Sequence, residues 1–224
     1  MQKIEPLNYG SFYHIYNRGI DGCNLFRETD NYEYFLGLHD KYISPIADTI
    51  AWVLMPNHFH FLVKIKIDIA YKYLNAEKSI DPVWFKEHKW ETINLSASEI
   101  ANSDKKPQPH LHFSHLMNAY ATYLNHKTSR HGNLFERPFK RKLIDNEYYL
   151  KQVILYIHNN PVHHRFCDHP VEYPWSSYLS CISTKSTRLK RDLVIGWFDD
   201  HANFKVMHNQ KLEIGEIERW LEID

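Results

Sequence analysis

The chain has 224 residues, of which 43% are hydrophobic, so a globular fold with a sizeable core is expected rather than a disordered chain. Lys and Arg number 27 and are balanced by 27 Asp and Glu, which counts mildly against a nucleic-acid binder but leaves room for a local basic patch. The three cysteines fit neither a disulfide framework nor a zinc finger, the first residues form no apolar signal segment, and no apolar run is long enough to span a membrane. These features favour a cytoplasmic protein.

The first third of the chain predicts strands with one helix between them. Aromatic residues alternate over 12–16, as in a strand, and Asn17-Arg18-Gly19 would end it. Thr29 or Asp30 would cap a helix over about 31–43. Two further strands, 49–55 and 59–67, are separated only by Pro56-Asn57, which predicts a tight hairpin.

The remainder predicts a polar insertion, two helices, one strand and a C-terminal extension. The insertion covers about 68–112, with some helix and a mobile stretch near 102–110. Ser114 would cap a helix reaching about Asn125, and a fourth strand follows over 139–144. Asp145 or Asn146 would cap the next helix, which Pro161 should stop. We therefore predict an α+β domain over 1–165 with an antiparallel sheet, and an extension over 166–224 that contains a short helix near 214–222.

His58 and His60 are two residues apart in the third predicted strand. Strand alternation puts both on one face and leaves an apolar opposite face, which should pack against helices. Two imidazoles at this spacing can reach one metal ion, and their ligand chemistry alone would favour zinc. A bare His-x-His pair is, however, more often two half-buried strand histidines with their own hydrogen bonds. The apolar face consists of Phe59, Phe61, Val63 and Ile65.

Several segments resemble, in the same order, those of single-tyrosine transposases of the HUH type, most similarly the REP-associated tyrosine transposases. The most specific is 53–63, Val-Leu-Met-Pro-Asn-His-Phe-His-Phe-Leu-Val, which resembles the histidine–hydrophobic–histidine motif of that family. The segment 156–162, Tyr-Ile-His-Asn-Asn-Pro-Val, resembles its catalytic helix. Further similar segments are 13–19, 132–140 and 175–178, whereas 68–112 and 182–224 are not covered.

The resemblance implies a ferredoxin-like sheet with helices on one face and the catalytic centre on the other. It implies an enzyme, a monomer or a homodimer, that cleaves and rejoins single-stranded DNA near hairpins or palindromes. Tyr156 would attack a phosphate and form a 5′-phosphotyrosine link. His58, His60 and Asn160 would bind Mg²⁺ or Mn²⁺.

The helical spacing agrees with these roles, because Tyr156 and Asn160 are four residues apart and share one face of a helix. Taken without the family, Tyr156 would more often be an aromatic residue beside a helical core stripe. Tyr148 and Gln152 have the same spacing and are an alternative nucleophile and ligand.

Five basic residues are candidates for DNA contact: Arg18, Arg137, Lys140, Arg141 and Lys142. The four in 137–142 could equally form a solvated strand face. Two other functions remain open. One is a DNA-binding regulator that derives from a transposase and has lost catalysis. The other is an unrelated metallohydrolase, which would need further carboxylates or histidines near the pair.

Overall fold

A four-stranded antiparallel sheet forms the centre of the fold. The computed structural model describes residues 6–73, 90–94, 106–210 and 213–223, with no side chains described for 70–73 and 90–94. The strands of the sheet are β1 (Phe12–Arg18), β2 (Ala47–Met55), β3 (His58–Ile65) and β6 (Lys140–Ile144). Their order is β2-β3-β1-β6, and every neighbouring pair is antiparallel.

Among the described residues, two α-helices lie between strands of this sheet, and the other α-helices follow it. Helix α1 (Thr29–Tyr42) joins β1 to β2, and α2 (Pro109–Lys127) lies between β3 and β6. This βαββαβ order with an antiparallel sheet is the ferredoxin-like arrangement, so the predicted fold class is confirmed. The later helices are α3 (Glu147–His163), α4 (Tyr178–Ile182), α5 (Arg191–Trp197), α6 (His201–His208) and α7 (Ile214–Leu221).

The sheet has a hydrophobic core on each face. On one face the predicted apolar residues of β3 pack with α1 and α2, in a cluster that includes Phe35, Phe61 and Tyr120. Helices thus cover this face, as expected. The second face also carries apolar residues, among them Val53 and Leu62, and these pack with α3 and the C-terminal extension. The face that carries His58 and His60 is therefore largely covered, and the histidines lie in a pocket rather than on an open surface.

Helix α2 begins earlier than the sequence predicted. Its N-cap is Gln108, Pro109 occupies the first helical turn, and the predicted cap Ser114 lies inside the helix. A proline at this position lacks an N–H that would be unsatisfied anyway, which favours the earlier start. The Ser114 hydroxyl instead donates to the carbonyl of His110 at 2.9 Å. Similarly, α1 is capped by Glu28 in a capping box with Asn31, rather than by Thr29 or Asp30.

Helix α3 carries the predicted nucleophile. Asn146 caps it, since its side-chain oxygen accepts from the backbone N–H of Tyr148 at 2.8 Å. The prediction that Pro161 would stop the helix was wrong, because the helix continues to His163. Pro161 lacks an amide hydrogen, but the backbone N–H of His164 still donates to the carbonyl of Asn160 at 3.0 Å, and this bond extends the last turn.

The C-terminal extension is fixed to β2 and α3 by buried polar contacts. The Trp52 N–H donates to the Ser177 hydroxyl at 2.8 Å, and the Ser177 N–H donates to the Trp52 carbonyl at 2.9 Å. Ser177 Oγ also lies 2.8 Å from His158 Nε2, and His158 Nδ1 lies 2.8 Å from Nε2 of His208 in α6. His158, for which the sequence indicated no role, therefore links α3 to the extension. The division of the chain near residue 165 stays a prediction.

Some helix was predicted within the insertion over about 68–112. Its described part contains a separate two-stranded ladder, β4 (Ile69–Tyr73) and β5 (Trp90–Asn94), and its last residues belong to the first turn of α2. Most of the remaining insertion, including much of the stretch predicted to be mobile, lies outside the described residues. Within the described ranges, no helix has the length and apolar character needed to cross a membrane.

Candidate functional site

The tight hairpin between β2 and β3 positions the two histidines. Met55 pairs with His58 across a two-residue turn of Pro56 and Asn57. The Asn57 carbonyl accepts from the Gly19 N–H at 2.8 Å, and the Pro56 carbonyl accepts from two N–H groups of the loop before α1. The Pro-Asn step therefore fixes the start of β3, as its position in the sequence indicated.

His58 lies between two asparagine side chains. Its Nδ1 is 2.7 Å from Asn57 Oδ1, and its Nε2 is 3.1 Å from Asn160 Oδ1. Burial lowers the pKa of His58 to about 4, so the ring is neutral near pH 7 and carries one proton. If that proton is donated to Asn57, the Nε2 lone pair faces the Asn160 oxygen. Two acceptor atoms 3.1 Å apart repel each other, and a cation bound by both would remove this repulsion.

His60 contacts a third histidine, His14 of β1, which the sequence analysis did not single out. His60 Nδ1 lies 2.9 Å from His14 Nε2, and the two rings are stacked with centroids 5.1 Å apart. Burial lowers the pKa of His14 to about 3 and that of His60 well below its usual range. His14 thus orients a neutral His60 ring, as outer partners of metal-binding histidines do. Strand alternation over 12–16 would have put His14 on this face.

Tyr156 reaches the histidines from the adjacent helix. Its ring meets that of His60 edge-on, with centroids 5.4 Å apart, and the side chain is almost fully buried. Glu218 of α7 lines the same pocket as Tyr156. Burial raises the Tyr156 pKa above its ordinary value, and the negative charge of Glu218 raises it further.

Helix α3 presents a stripe of three side chains at four-residue intervals, formed by Tyr156, Asn160 and His164. The His164 ring lies 5.2 Å from that of His58, between centroids, and it lines the same pocket. His164 was not among the residues predicted from the sequence, although its four-residue spacing from Asn160 could have indicated it. Glu218 was not among them either, because α7 lies in the part of the chain without a matched motif.

Most of these side chains line one pocket of about 480 Å³, which we call the catalytic pocket after the role proposed for it below. Arg18 and Lys140 lie at its rim, and Arg18 forms an ion pair with Glu136. The lining also includes His58, His60, Tyr156, His164 and Glu218. The pocket therefore combines three imidazoles, two phenols, two cations and two carboxylates, a set that contains groups able to bind a phosphate ester and to attack it.

The C-terminal helix covers one side of the catalytic pocket. The Trp220 ring stacks on Tyr149 with centroids 3.8 Å apart. Glu222 forms an ion pair with Lys142, and its backbone carbonyl accepts from the Tyr16 hydroxyl at 3.0 Å. Lys142 is thus neutralised by the chain itself. Glu218 lines the pocket, and Glu222 precedes the lining residue Ile223.

The other predicted DNA-binding residues are elsewhere. Since Lys140 and Lys142 alternate with Arg141 along β6, Arg141 points to the opposite face of the sheet. Arg137 and Arg141 line a separate cavity between α2 and the loop before β6. The alternative pair is also separate: Tyr148 is 59% exposed and lines, with Gln152, a shallow depression away from the histidines.

The side chains present can accommodate a divalent ion. Within the described ranges, no three His, Cys, Asp or Glu side chains gather at metal-binding distance, so an amide would have to be the third ligand. Asn160 fits this role, because its oxygen faces His58 Nε2 and its Nδ2 is buried without a hydrogen-bond partner among the described residues.

The fold and the pocket define a ferredoxin-like α+β protein with a His-x-His strand facing a helical tyrosine. No protein-family model matches the sequence, and no curated protein matches it. Among solved structures, the chain is similar to a REP-associated tyrosine transposase bound to a REP hairpin, with 14% identity and a TM-score of 0.52. The similarity covers 82% of this chain and 86% of the other. At this identity the likeness concerns the fold.

Proposed function

We propose that the protein is a transposase-like enzyme that cleaves and rejoins single-stranded DNA near hairpins through a covalent tyrosine intermediate. The observation that carries the proposal is that Tyr156, His58 and His60 line one pocket. Asn160 Oδ1 lies 3.1 Å from His58 Nε2, so β3 and α3 bring all four residues together. The sequence resemblance indicated these residues before any distance between them was known. The similarity in fold to a hairpin-bound transposase supports DNA as the substrate.

In the proposed reaction the Tyr156 oxygen attacks a DNA phosphorus atom, and the bond from phosphorus to the 3′ oxygen breaks. A tyrosine hydroxyl has a pKa of about 10 in water and is a weak nucleophile until it loses its proton. The Glu218 carboxylate, which lines the same pocket and whose charge acts on this hydroxyl, would accept that proton. The phosphotyrosine bond retains the energy of the broken ester, so attack by another 3′ hydroxyl rejoins the strand without ATP.

The other side chains bind and orient the phosphate. His14 holds the ring of His60, and Asn57 holds that of His58, so both imidazoles are fixed before substrate arrives. When bound, Mg²⁺ or Mn²⁺ held by His58, His60 and Asn160 would polarise the phosphate and offset charge on the leaving oxygen. Arg18 and Lys140 would neutralise adjoining phosphates.

The competing function is a DNA-binding regulator without catalysis. One observation favours it, namely that the Tyr156 side chain is almost fully buried beneath a carboxylate. A regulator would bind the same DNA without forming a covalent product.

The test is an adduct assay with labelled single-stranded hairpin DNA and Mn²⁺ or Mg²⁺ on a denaturing gel. The proposal predicts a protein–DNA adduct that Tyr156→Phe abolishes and Tyr148→Phe retains. Tyr148 is the matched control because it lies in the same helix and is exposed. If Tyr148→Phe alone abolishes the adduct, the nucleophile is wrong. If the wild type binds DNA but forms no adduct with any hairpin, the regulator is favoured.

A further inference from the structure

The geometry points to a second nucleic-acid site, a pocket for one unpaired nucleotide of the DNA strand, in the cavity between α2 and the loop over 132–139. We refer to this cavity as the nucleotide pocket. The inference rests on the proposed function and deepens it, because it states which part of the DNA is recognised away from the scissile phosphate.

The volume and the apolar walls of the nucleotide pocket suit a planar base. Its volume is about 770 Å³, within the range of small-ligand sites and larger than that of the catalytic pocket. Met117 and Ala121 of α2 contribute one wall, and Phe135 and Phe139 contribute others. A double helix is too wide for such a cavity, whereas an unpaired base can enter it and contact these apolar walls.

The rim of the nucleotide pocket is positively charged. Arg137 and Arg141 both line it, and the guanidinium of Arg141 lies over the Phe139 ring at 3.9 Å from the centroid. The acidic residue in the lining, Glu136, has its carboxylate in an ion pair with Arg18. The exposed amide of Asn118 adds a side chain that can both donate to and accept from a base edge. Apolar walls under a cationic rim match a nucleotide, which has a planar base and an anionic phosphate.

The nucleotide pocket adjoins the catalytic pocket. Asn17 and Glu136 line both cavities and form their shared wall. This wall is fixed by its own hydrogen bonds: the Asn17 amide donates to the Glu136 carbonyl at 3.1 Å, and the Glu136 N–H donates to the Arg18 carbonyl at 3.0 Å. A DNA strand that crosses Glu136 therefore spans both cavities, with a phosphate near Tyr156 and an unpaired nucleotide a short distance along the strand.

The test measures binding of fluorescent DNA hairpins that carry single-stranded extensions, with each extension position made abasic in turn. The wild type should lose roughly tenfold in affinity when one particular position is abasic, since a stacked base contributes about that much. Ala121→Phe, which fills the pocket and leaves both arginines, should cause a similar loss. It should have little effect on a blunt hairpin. Thr122→Phe is the matched control, because Thr122 is the next residue of α2 and does not line the pocket.

Equal affinity at every abasic position overturns the inference, and this measurement on the wild type holds even if Ala121→Phe fails to fold. Equal binding of the extended hairpin by folded Ala121→Phe and Thr122→Phe overturns it as well. In both cases the wild type still binds hairpins and forms the Tyr156 adduct. If the wild type binds no hairpin or single-stranded DNA at all, the proposed function itself fails.

Discussion

Acidification from about pH 7.5 to 5.5 perturbs histidines that the fold keeps buried and neutral. Burial lowers the pKa of His39 and of His208 from 6.5 to about 4. The unfolded chain therefore binds the proton first as the pH falls. The stability that these groups contribute is complete above pH 6.5 and is lost progressively as the pH falls towards 4.

The size of the stability loss follows from the pKa values of the histidine in the folded and unfolded chain. A histidine with pKa 6.5 unfolded and about 4 folded contributes about 1.3 kcal/mol less to the unfolding free energy at pH 5.5 than at 7.5. His14 and His58 behave in the same way. Together the four histidines lower the free energy of unfolding by about 5 kcal/mol between pH 7.5 and 5.5, which is comparable with the whole stability of many domains.

The variant His39→Phe isolates one of these contributions. The His39 ring stacks on Phe61 with centroids 4.5 Å apart, so a phenyl ring can take its place. Unlike the imidazole, the phenyl ring cannot be protonated. Urea unfolding at both pH values, with a chelator present, should show a pH-dependent loss about 1.3 kcal/mol smaller than in the wild type. His126→Gln, at an exposed position of α2, is the control. If His39→Phe and the wild type lose the same free energy, the argument from burial is refuted.

Three further predictions concern the catalytic pocket and its helix. Glu218→Gln should bind hairpin DNA more tightly in fluorescence anisotropy, because it removes a carboxylate from the pocket. It should also form the adduct more slowly, because the proton acceptor is lost. Tighter binding with an unchanged rate would exclude Glu218 as proton acceptor. Lys140→Ala should reduce the slope of log affinity against log salt by about 0.7, as expected for one lost phosphate contact to a single strand, and an unchanged slope would remove Lys140 from the interface. Asn146→Ala should lower the unfolding free energy by about 1 kcal/mol in urea titrations, and no change would contradict its role as the cap of α3.

Strand periodicity and helix spacing predicted much of the fold. The alternation over 58–65 separated the two faces of β3 correctly, because a buried sheet face requires apolar side chains at every second position. The residue at which a helix begins was harder to predict. Ser114 is a typical N-cap residue, but α2 already begins at Pro109. Both residue types are common at helix starts, so residue preferences alone could not choose between the two positions.

For the pocket, the family resemblance indicated His58 and His60 of β3 and Tyr156 and Asn160 of α3. These residues lie close together in the structure. His14 and His164 were within reach of the same periodicity arguments. Glu218 and the cover that α7 forms over the pocket were not, because they depend on how the extension packs against α3. The basic residues over 137–142 were predicted as one cluster, but Arg137 and Arg141 line one cavity, Lys140 lines the other, and Lys142 pairs with Glu222.

The most direct test of the account is to locate the covalent DNA on the chain. After reaction with hairpin DNA and nuclease treatment, trypsin would release residues 143–151, with Tyr148 and Tyr149, separately from residues 152–165, in which Tyr156 is the sole tyrosine. The account predicts that mass spectrometry finds the residual phosphonucleotide on the peptide 152–165 and that the Tyr156→Phe protein carries none. A phosphonucleotide on 143–151, or on no peptide despite tight DNA binding, would contradict it.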